Sequence, residues 1–441
     1  MSFEQEMIRQ FDADYAAAKR DFEAAAAFLE ASELHVNGRC VRSLAFPKVF
    51  DAETAARFAR FAAQCFSIFN KVIDRYLSDP AYRALFPFER ALEELILLEP
   101  GYRLRVPVAR IDIFFGEESG TIKLCEVNTD GSSAMNEDRV LQQALQYNGA
   151  FQRAAQGKAL QSFELFDSWV TAFCANWRDY AGDRGKPCVA IVDFLDRATL
   201  AEFHRFAEAF ARAGISAEIC DIRALRFDGE RLLSPGGTCI DAIYRRAVTT
   251  DIMQNYSEVQ PFLEAVRRGK VCLIGSLRTQ IIHNKYLFHL LHGEETQSFL
   301  SGEDRAFIQA HVPKTYRLNA ETIREHRVLS EKALWIIKPY DLYGSKGVYA
   351  GFDCTQEEWE AALAQALHAD YLLQEFCLPH QSINCDFSKE DPGLRGFSNI
   401  TGLFCYNETL QGIYSRLSKG GIISSQYNEK GVATLVETGR S

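Results

Sequence analysis

Apolar positions in the first hundred residues fall at helical spacing. Residues 4–34 are Ala-rich and predict a helix, and 51–77 and 88–98 continue that character, with Pro80 and Pro87 as punctuation. The pattern changes over 106–128, where apolar and polar residues alternate as in strands, and returns to helical spacing over 135–180. Then "CVAIVDF" (188–194), "SAEICDI" (216–222) and "CIDAIYRR" (239–246) read as buried strands. An amphipathic helix at 198–213, ended by Gly214, lies between the first two, and "VCLIGS" (271–276) is a further strand candidate. This strand–helix–strand order predicts a small parallel sheet over about 186–275. Further on, 283–293, 319–332 and 355–368 predict helices, while 333–340, 347–352 and 371–378 predict strands. Residues 399–417 predict a hairpin turning near Asn407-Glu408. There are no repeats, low-complexity tracts or flexible linkers, so interleaved domains are expected.

Composition narrows the functional classes. The 441-residue chain carries a net charge of −10, which gives no basic footprint for nucleic acid. An anionic ligand would therefore need a local positive site or a metal ion. No apolar run approaches the roughly 20 residues of a membrane span, and the polar, acidic start reads as neither a signal nor a transit peptide. The twelve cysteines are scattered singly, without a CxxC pair or a Cys/His cluster. They read as reduced thiols of a cytoplasmic protein, with Cys125 as a small apolar strand residue.

The alternating stretch "RIDIFFGEESGTIKLCEVNTDG" (110–131) holds the first chemistry. Arg110 and Asp112 share a strand face, as do Glu126 and Asn128 on the next strand. Thirteen residues separate Asp112 from Glu126, enough for two strand segments and a turn around Gly116-Ser119-Gly120, so the two pairs can face each other. Carboxylates ~4 Å apart repel by about 4 kcal/mol at an effective dielectric of 20. Two readings meet that cost: a salt bridge from Arg110, or a hard divalent cation such as Mg²⁺, which takes oxygen ligands and keeps waters and substrate phosphates.

A second cluster lies in "WIIKPYDLYGSKGVYAGF" (335–352). Lys338 ends a buried strand, where an isolated ammonium is costly. Tyr343-Gly344-Ser345-Lys346-Gly347 forms a Gly-rich loop whose N–H groups could close on phosphates. It is not a Walker loop, because G-x-x-x-x-G-K-[ST] is absent. Lys285 follows Asn284 on an expected helix, "YLLQEF" (371–376) ends in Gln374-Glu375-Phe376, and Arg416 stands on a strand before Gly420-Gly421. The candidate parallel sheet lacks the G-x-G-x-x-G of a dinucleotide-binding oxidoreductase.

Taken together, R-x-D, then E-x-N after thirteen intervening residues, then N-K and K-P-x-x-x-Y-G-x-K-G-V, resemble the ATP-grasp ligases. The order, with E-x-N before the lysines, resembles the circularly permuted branch that includes eukaryotic glutathione synthetase and glutathionylspermidine synthetase. The resemblance covers about residues 100 to 420. It implies an α/β (α+β) chain with a permuted ATP-grasp fold, an inserted Rossmann-like parallel subdomain and an N-terminal helical region. The expected division is 1–98 for the helical region, 99–180 for the metal-motif part, 181–278 for the Rossmann-like subdomain, and 279–441 for the lysines, lid loop and C-terminal part.

The resemblance also implies roles. Asp112, Glu126 and Asn128 would hold magnesium, with two ions expected, and Arg110 and Lys338 would be catalytic. ATP would meet Lys285, Lys338, Tyr343, Gly344, Ser345, Lys346, Gly347, Gln374, Glu375 and Phe376. Substrate would meet Arg110, Ser132, Ser133, Glu137 and Arg416, with Asn136 bordering the acceptor. The implied activity is ATP-dependent joining of a small carboxylate to an amine through an acyl phosphate, the substrates being amino-acid, peptide or polyamine-like. A small-molecule kinase or a non-ligating nucleotide-binding protein of the same fold is the alternative, and the resemblance allows a homodimer. Two features depart from the family. Thr129-Asp130-Gly131-Ser132-Ser133 stands where Pro-Gly is usual, and Asp341 stands near the expected place of a third acidic ligand. Substrate identity is therefore not inherited.

Overall fold

The computed structural model describes residues 2–36, 38–342, 344–423 and 428–439, with the side chain of Val36 set aside. Its centre is an antiparallel sheet built from both halves of the chain. Val108–Phe115 pairs on one side with Ile122–Asn128 and on the other with Leu394–Tyr406. The latter pairs with Thr409–Ser418, which pairs with Lys430–Val432. Gln381–Cys385 also joins Leu394–Tyr406.

Alternation sorts this sheet into two faces. Ile111, Ile113, Leu124, Leu403 and Ile413 pack in one core with Phe58, Phe61, Phe69 and Val72 of the long helix Ala52–Ser78. Each such buried side chain contributes about 1.5–3 kcal/mol. Register on this sheet is therefore strongly specified, because a one-residue slip would exchange the two faces. The other face presents Arg110, Asp112, Glu126, Asn128, Tyr414 and Arg416.

The predicted parallel sheet is present, in the order Cys272–Ile274, Ala242–Arg245, Val189–Asp193, Ala217–Asp221. A third sheet, all antiparallel, runs Thr315–Arg317, Tyr371–Glu375, Trp335–Pro339, Tyr349–Ala350. The hairpin expected over 399–417 is longer, and its turn is at Asn407 and Glu408, both at positive φ (47° and 65°). That is the turn geometry whose twist matches paired strands.

Several expected helices are shorter than their periodicity suggested. The 4–34 segment divides into Phe3–Ala13 and Tyr15–Ala31, because Asp14 leaves helical geometry and its carboxylate accepts from the Ala17 N–H as a new N-cap. The 135–180 segment breaks into Met135–Ala144, Gly149–Ala154 and Asp167–Ala181. Asn148 caps the second helix, and Ala159–Gln161 leaves to pair with Thr434–Thr438. The 319–332 segment keeps only Ala320–Glu325 as α-helix before Arg327 adopts a positive φ. In each case a local hydrogen bond or a strand partner outcompetes helix continuation.

Candidate active site

The outward face of the central sheet, the ends of the parallel sheet and the lysine-bearing sheet enclose one cavity of about 360 Å³. That size is in the range of small-molecule sites. On the acidic side, Arg110 lies opposite Asn128 and Asp112 opposite Glu126. A bulge at Cys125 follows, since Ile113 next pairs with Leu124. Burial pushes the Cys125 thiol up to about 12, so it stays protonated.

Asp112 is fully buried and holds four donors. Arg110 gives two bonds (Nε to Oδ1, 2.7 Å; Nη2 to Oδ2, 3.0 Å), Arg416 one (2.7 Å) and the Asn128 amide one (3.2 Å). Gly402, across the pair, leaves the room: a Cβ there would lie 2.9 Å from Arg110 Cδ and 3.1 Å from Asp112 Oδ1. Glu126 is half-buried, lies 3.5 Å from Lys285 and accepts from Asn128 (3.2 Å). Burial alone would raise its carboxyl, but Lys285, Lys338, Arg110 and Arg416 outweigh burial and hold it well below the usual range. Both readings of the strand pair are thus represented. Glu126 and Asn128 line the cavity with oxygen-bearing groups that suit a hard cation. Asp112 suits one less well, because a cation would have to displace a guanidinium from it.

The lysine side is built from two separate segments. The helix expected over 283–293 is interrupted: Gln280–His283 and Leu287–His292 flank Lys285, which sits in the break. There its backbone N–H donates to the Tyr340 carbonyl, and its ammonium donates to the Leu342 carbonyl (2.9 Å). The break therefore points Lys285 at the lid loop. Lys338 lies buried near the end of Trp335–Pro339 and donates to Gln374 Oε1 (2.7 Å), whose Nε2 donates to Thr315 (2.8 Å). Gln374 is thus committed to placing Lys338. Glu375 and Phe376 follow on the cavity wall, where Phe376 stacks on Phe352 with centroids 5.6 Å apart. Leu124, Ile336 and Val348 give that end of the cavity an apolar lining.

In the loop, Gly344, Ser345 and Gly347 all have positive φ (67°, 57° and 69°). Successive residues of that kind turn backbone N–H groups toward one side. Ser345 Oγ donates to the Ile423 carbonyl (3.4 Å), Lys346 is exposed, and Tyr343 lies outside the described residues. Asp341 is taken up by Gln280 and lies 3.8 Å from His283.

The segment after E-x-N is fixed by arginines that sequence reasoning missed. Arg245 ends, and Arg246 follows, a strand of the parallel sheet next to Val189–Asp193, where the strand order reverses. In open α/β sheets that crevice is a favoured ligand position. Arg245 donates to Asp130 (2.6 Å), which also accepts from the Thr249 N–H (2.8 Å). Burial would raise the Asp130 carboxyl, but Arg245 and His283 hold it down at about 2. Arg246 donates to Glu202 (2.6 Å) and to the Ser132 carbonyl, while Arg110 donates to the Ser133 carbonyl (2.9 Å). Gly131 has φ 57°, and a Cβ there would run into the Arg246 carbonyl. Ser132, Ser133 and Glu137 all line the cavity, as do Asp193, which ends an inner strand of the parallel sheet, and Arg197 in the loop after it. Asn136 is buried beside them, its N–H donating to Glu202 (3.1 Å). Two charged residues closing the apolar run "IDAIYRR" were the signal available in the sequence.

One further expectation is corrected away from the cavity. Glu30, His35 and Cys40 each bring a donor atom within 4.8 Å of the others, so one cysteine does stand with a histidine.

No family model and no curated protein sequence matches the chain. Among solved structures, a glutathione synthetase-like effector from Globodera pallida is similar. Its TM-score is 0.61 at 11% identity, over 94% of this chain and 95% of that one. A D-cycloserine synthetase gives a TM-score of 0.30 at 13% identity, over 57% of this chain and 91% of that one, a likeness too low to bear on the fold. The fold of that glutathione synthetase-like protein, to which the motif order pointed, is the fold of this chain.

Proposed function

We propose that the chain is an ATP- and Mg²⁺-dependent ligase that joins a small carboxylate to an amine through an acyl phosphate. One observation carries this reading. Segments far apart in sequence deliver complementary chemistry to one cavity: Glu126 and Asn128 from the acidic hairpin, Lys285 and Lys338 from the lysine side. The likeness to a glutathione synthetase-like protein supports an ATP-dependent ligase at a coarse level.

In this reading Lys285, Lys338, Lys346 and the 344–347 loop bind the phosphates. Phe376, Ile336 and Val348 hold the base, with Glu375 at its edge. Gln374 acts by positioning Lys338. Glu126 and Asn128 would hold the magnesium, joined by Asp112 where Arg416 releases it, and the ion would supply neutralisation of phosphate charge. Arg110 and Arg416 face the developing acyl phosphate and balance its charge, while Ser132, Ser133 and Glu137 border the acceptor. The substrate carboxylate attacks the γ-phosphorus, the bond to the β,γ-bridging oxygen breaks with release of ADP, and the amine then displaces phosphate from the acyl carbon. Positioning and charge neutralisation suffice, with no side-chain nucleophile. Closure of the loop protects the acyl phosphate from water.

The test is ADP release from ATP and Mg²⁺ across a panel of amino acids, small peptides and polyamines, with product identified by mass. Release that requires both a carboxylate and an amine, with an amide as product, is the expected result. Stable phosphate transfer to an acceptor without amine would make the protein a kinase.

A further inference from the structure

One end of the cavity is acidic in a way that ATP binding does not use. Glu137 lies in the first turn of Met135–Ala144 and accepts a hydrogen bond from the Tyr414 hydroxyl (2.9 Å). Tyr414 and Arg416 are two residues apart on one strand, so they share a face roughly 7 Å apart. Arg416 reaches Asp112 with one nitrogen and lies 3.4 Å from Glu429 with another. Glu137 and Glu429 both line the cavity, as do Arg110 of the acidic hairpin and Arg416.

The groups that act on Glu137 come from every neighbouring element: Tyr414 and Arg416 from Thr409–Ser418, Glu429 from the segment after it, and Glu202 from Leu200–Arg212. The guanidinium groups nearby are committed, Arg110 to Asp112 and the Ser133 carbonyl. Arg416 serves Asp112 and Glu429, and Arg246 serves Glu202. The balance around Glu137 therefore favours a positive ligand. Burial first, then Glu429, push its carboxyl up to about 7, while Tyr414 and Arg416 pull the other way. A carboxyl so tuned exchanges protons near neutral pH.

We propose that the amine substrate binds as an ammonium between Glu137 and Glu429, and that Glu137 takes its proton. This rests on the ligase reading above. Glu137 carboxylate accepts one proton from R–NH₃⁺, leaving a neutral amine. The nitrogen lone pair forms the C–N bond at the acyl carbon, and the C=O electron pair moves onto oxygen. That pair then returns, the C–O bond to phosphate breaks, and the second nitrogen proton leaves with phosphate. Tyr414 is a positioning residue that fixes which way the Glu137 carboxylate points.

The experiment compares two acceptors in the full chain with ATP, Mg²⁺ and an equimolar mixture of the panel's amino acids, small peptides and polyamines, which supplies the carboxylate donors. One acceptor is the amino groups of that mixture, which are ammonium at neutral pH. The other is added hydroxylamine, which is neutral there and needs no base. Glu137→Gln is expected to lower the amine-dependent rate about 100-fold more than the hydroxamate rate. Glu137→Asp is expected to restore part of the loss. The wild-type amine-dependent rate should fall below about pH 7, and that limb should be absent in Glu137→Gln. Equal losses with both acceptors in a variant that keeps its thermal midpoint would overturn the proposal and leave the ligase reading standing. A wild-type chain that releases no ADP with either acceptor would overturn both.

Discussion

The two walls of the cavity are held in opposite ways. The acidic wall is a closed set of charges: Asp112 carries two guanidinium groups, and Glu126 and Asn128 lean on the same set. The lysine wall is held mainly by neutral groups, apart from the Lys285–Glu126 ion pair at 3.5 Å. Lys285 donates to a carbonyl, and Lys338 donates to an amide that is itself anchored by Thr315. A charge satisfied by neutral dipoles keeps its field available to a ligand, whereas a charge in a tight ion pair is largely cancelled. The lysine wall, at Lys338 above all, is thus poised for an anion. The acidic wall is poised to exchange an internal cation for an external one, at Glu126 first.

That contrast can be broken at several points, and the largest effect is expected behind the acidic wall. Arg245→Met leaves Asp130 buried without its partner, which costs about 3–5 kcal/mol of stability. The sign follows from the depressed Asp130 carboxyl. Its contribution is fully present above the ordinary carboxylate range and is lost as pH falls toward about 2. Thermal midpoints measured from pH 7 to pH 2 should fall for the wild type over that acid range, and the variant should start lower and fall less. Next, Glu126→Gln should lower Mg²⁺-dependent ADP formation by about 10²–10³-fold with the thermal midpoint retained. Normal turnover would remove Glu126 from the proposed metal site.

Lys338→Ala should weaken nucleotide binding by about 10–100-fold, the size of a lost charge-assisted hydrogen bond. Calorimetry with ADP measures it, and an unchanged affinity would sink the contrast between the walls. The smallest effect is expected at Gly402→Ala, which crowds Arg110 and Asp112. A destabilisation of about 1 kcal/mol, read by denaturant midpoint, should be accompanied by a larger fractional loss of activity than of stability.

Much of the acidic wall was legible in the sequence, because strand alternation assigns Arg110, Asp112, Glu126 and Asn128 to one face whatever the rest of the chain does. The Gly-rich loop and the Asn407-Glu408 turn were legible for a similar reason, since each is set by local backbone geometry. The breaks at Asp14, Asn148 and Lys285 were not. At Asp14 and Asn148 a side-chain cap outcompetes a continuous helical pattern. Lys285 leaves helical geometry where its N–H finds the Tyr340 carbonyl, a partner 55 residues away. The arginines were not legible either. Arg245 and Arg246 read as ordinary strand cations until the chain places Asp130 and Glu202 against them, and Arg416, expected to meet substrate, gave no sign of its pairing with Asp112.

By itself, then, the sequence determined which strands carry charge on an otherwise apolar alternation, where the sharp turns fall, and the motif order that marks the fold. Those are properties of contacts within a few residues, where chain connectivity alone brings groups together. The tertiary structure decided which charges meet. Pairing Leu394–Tyr406 onto Val108–Phe115 brings Arg416 to Asp112 across some 300 residues, and the parallel sheet brings Arg245 to Asp130. Such meetings depend on sheet register and on the long helix that buries the opposite face, which no local pattern encodes.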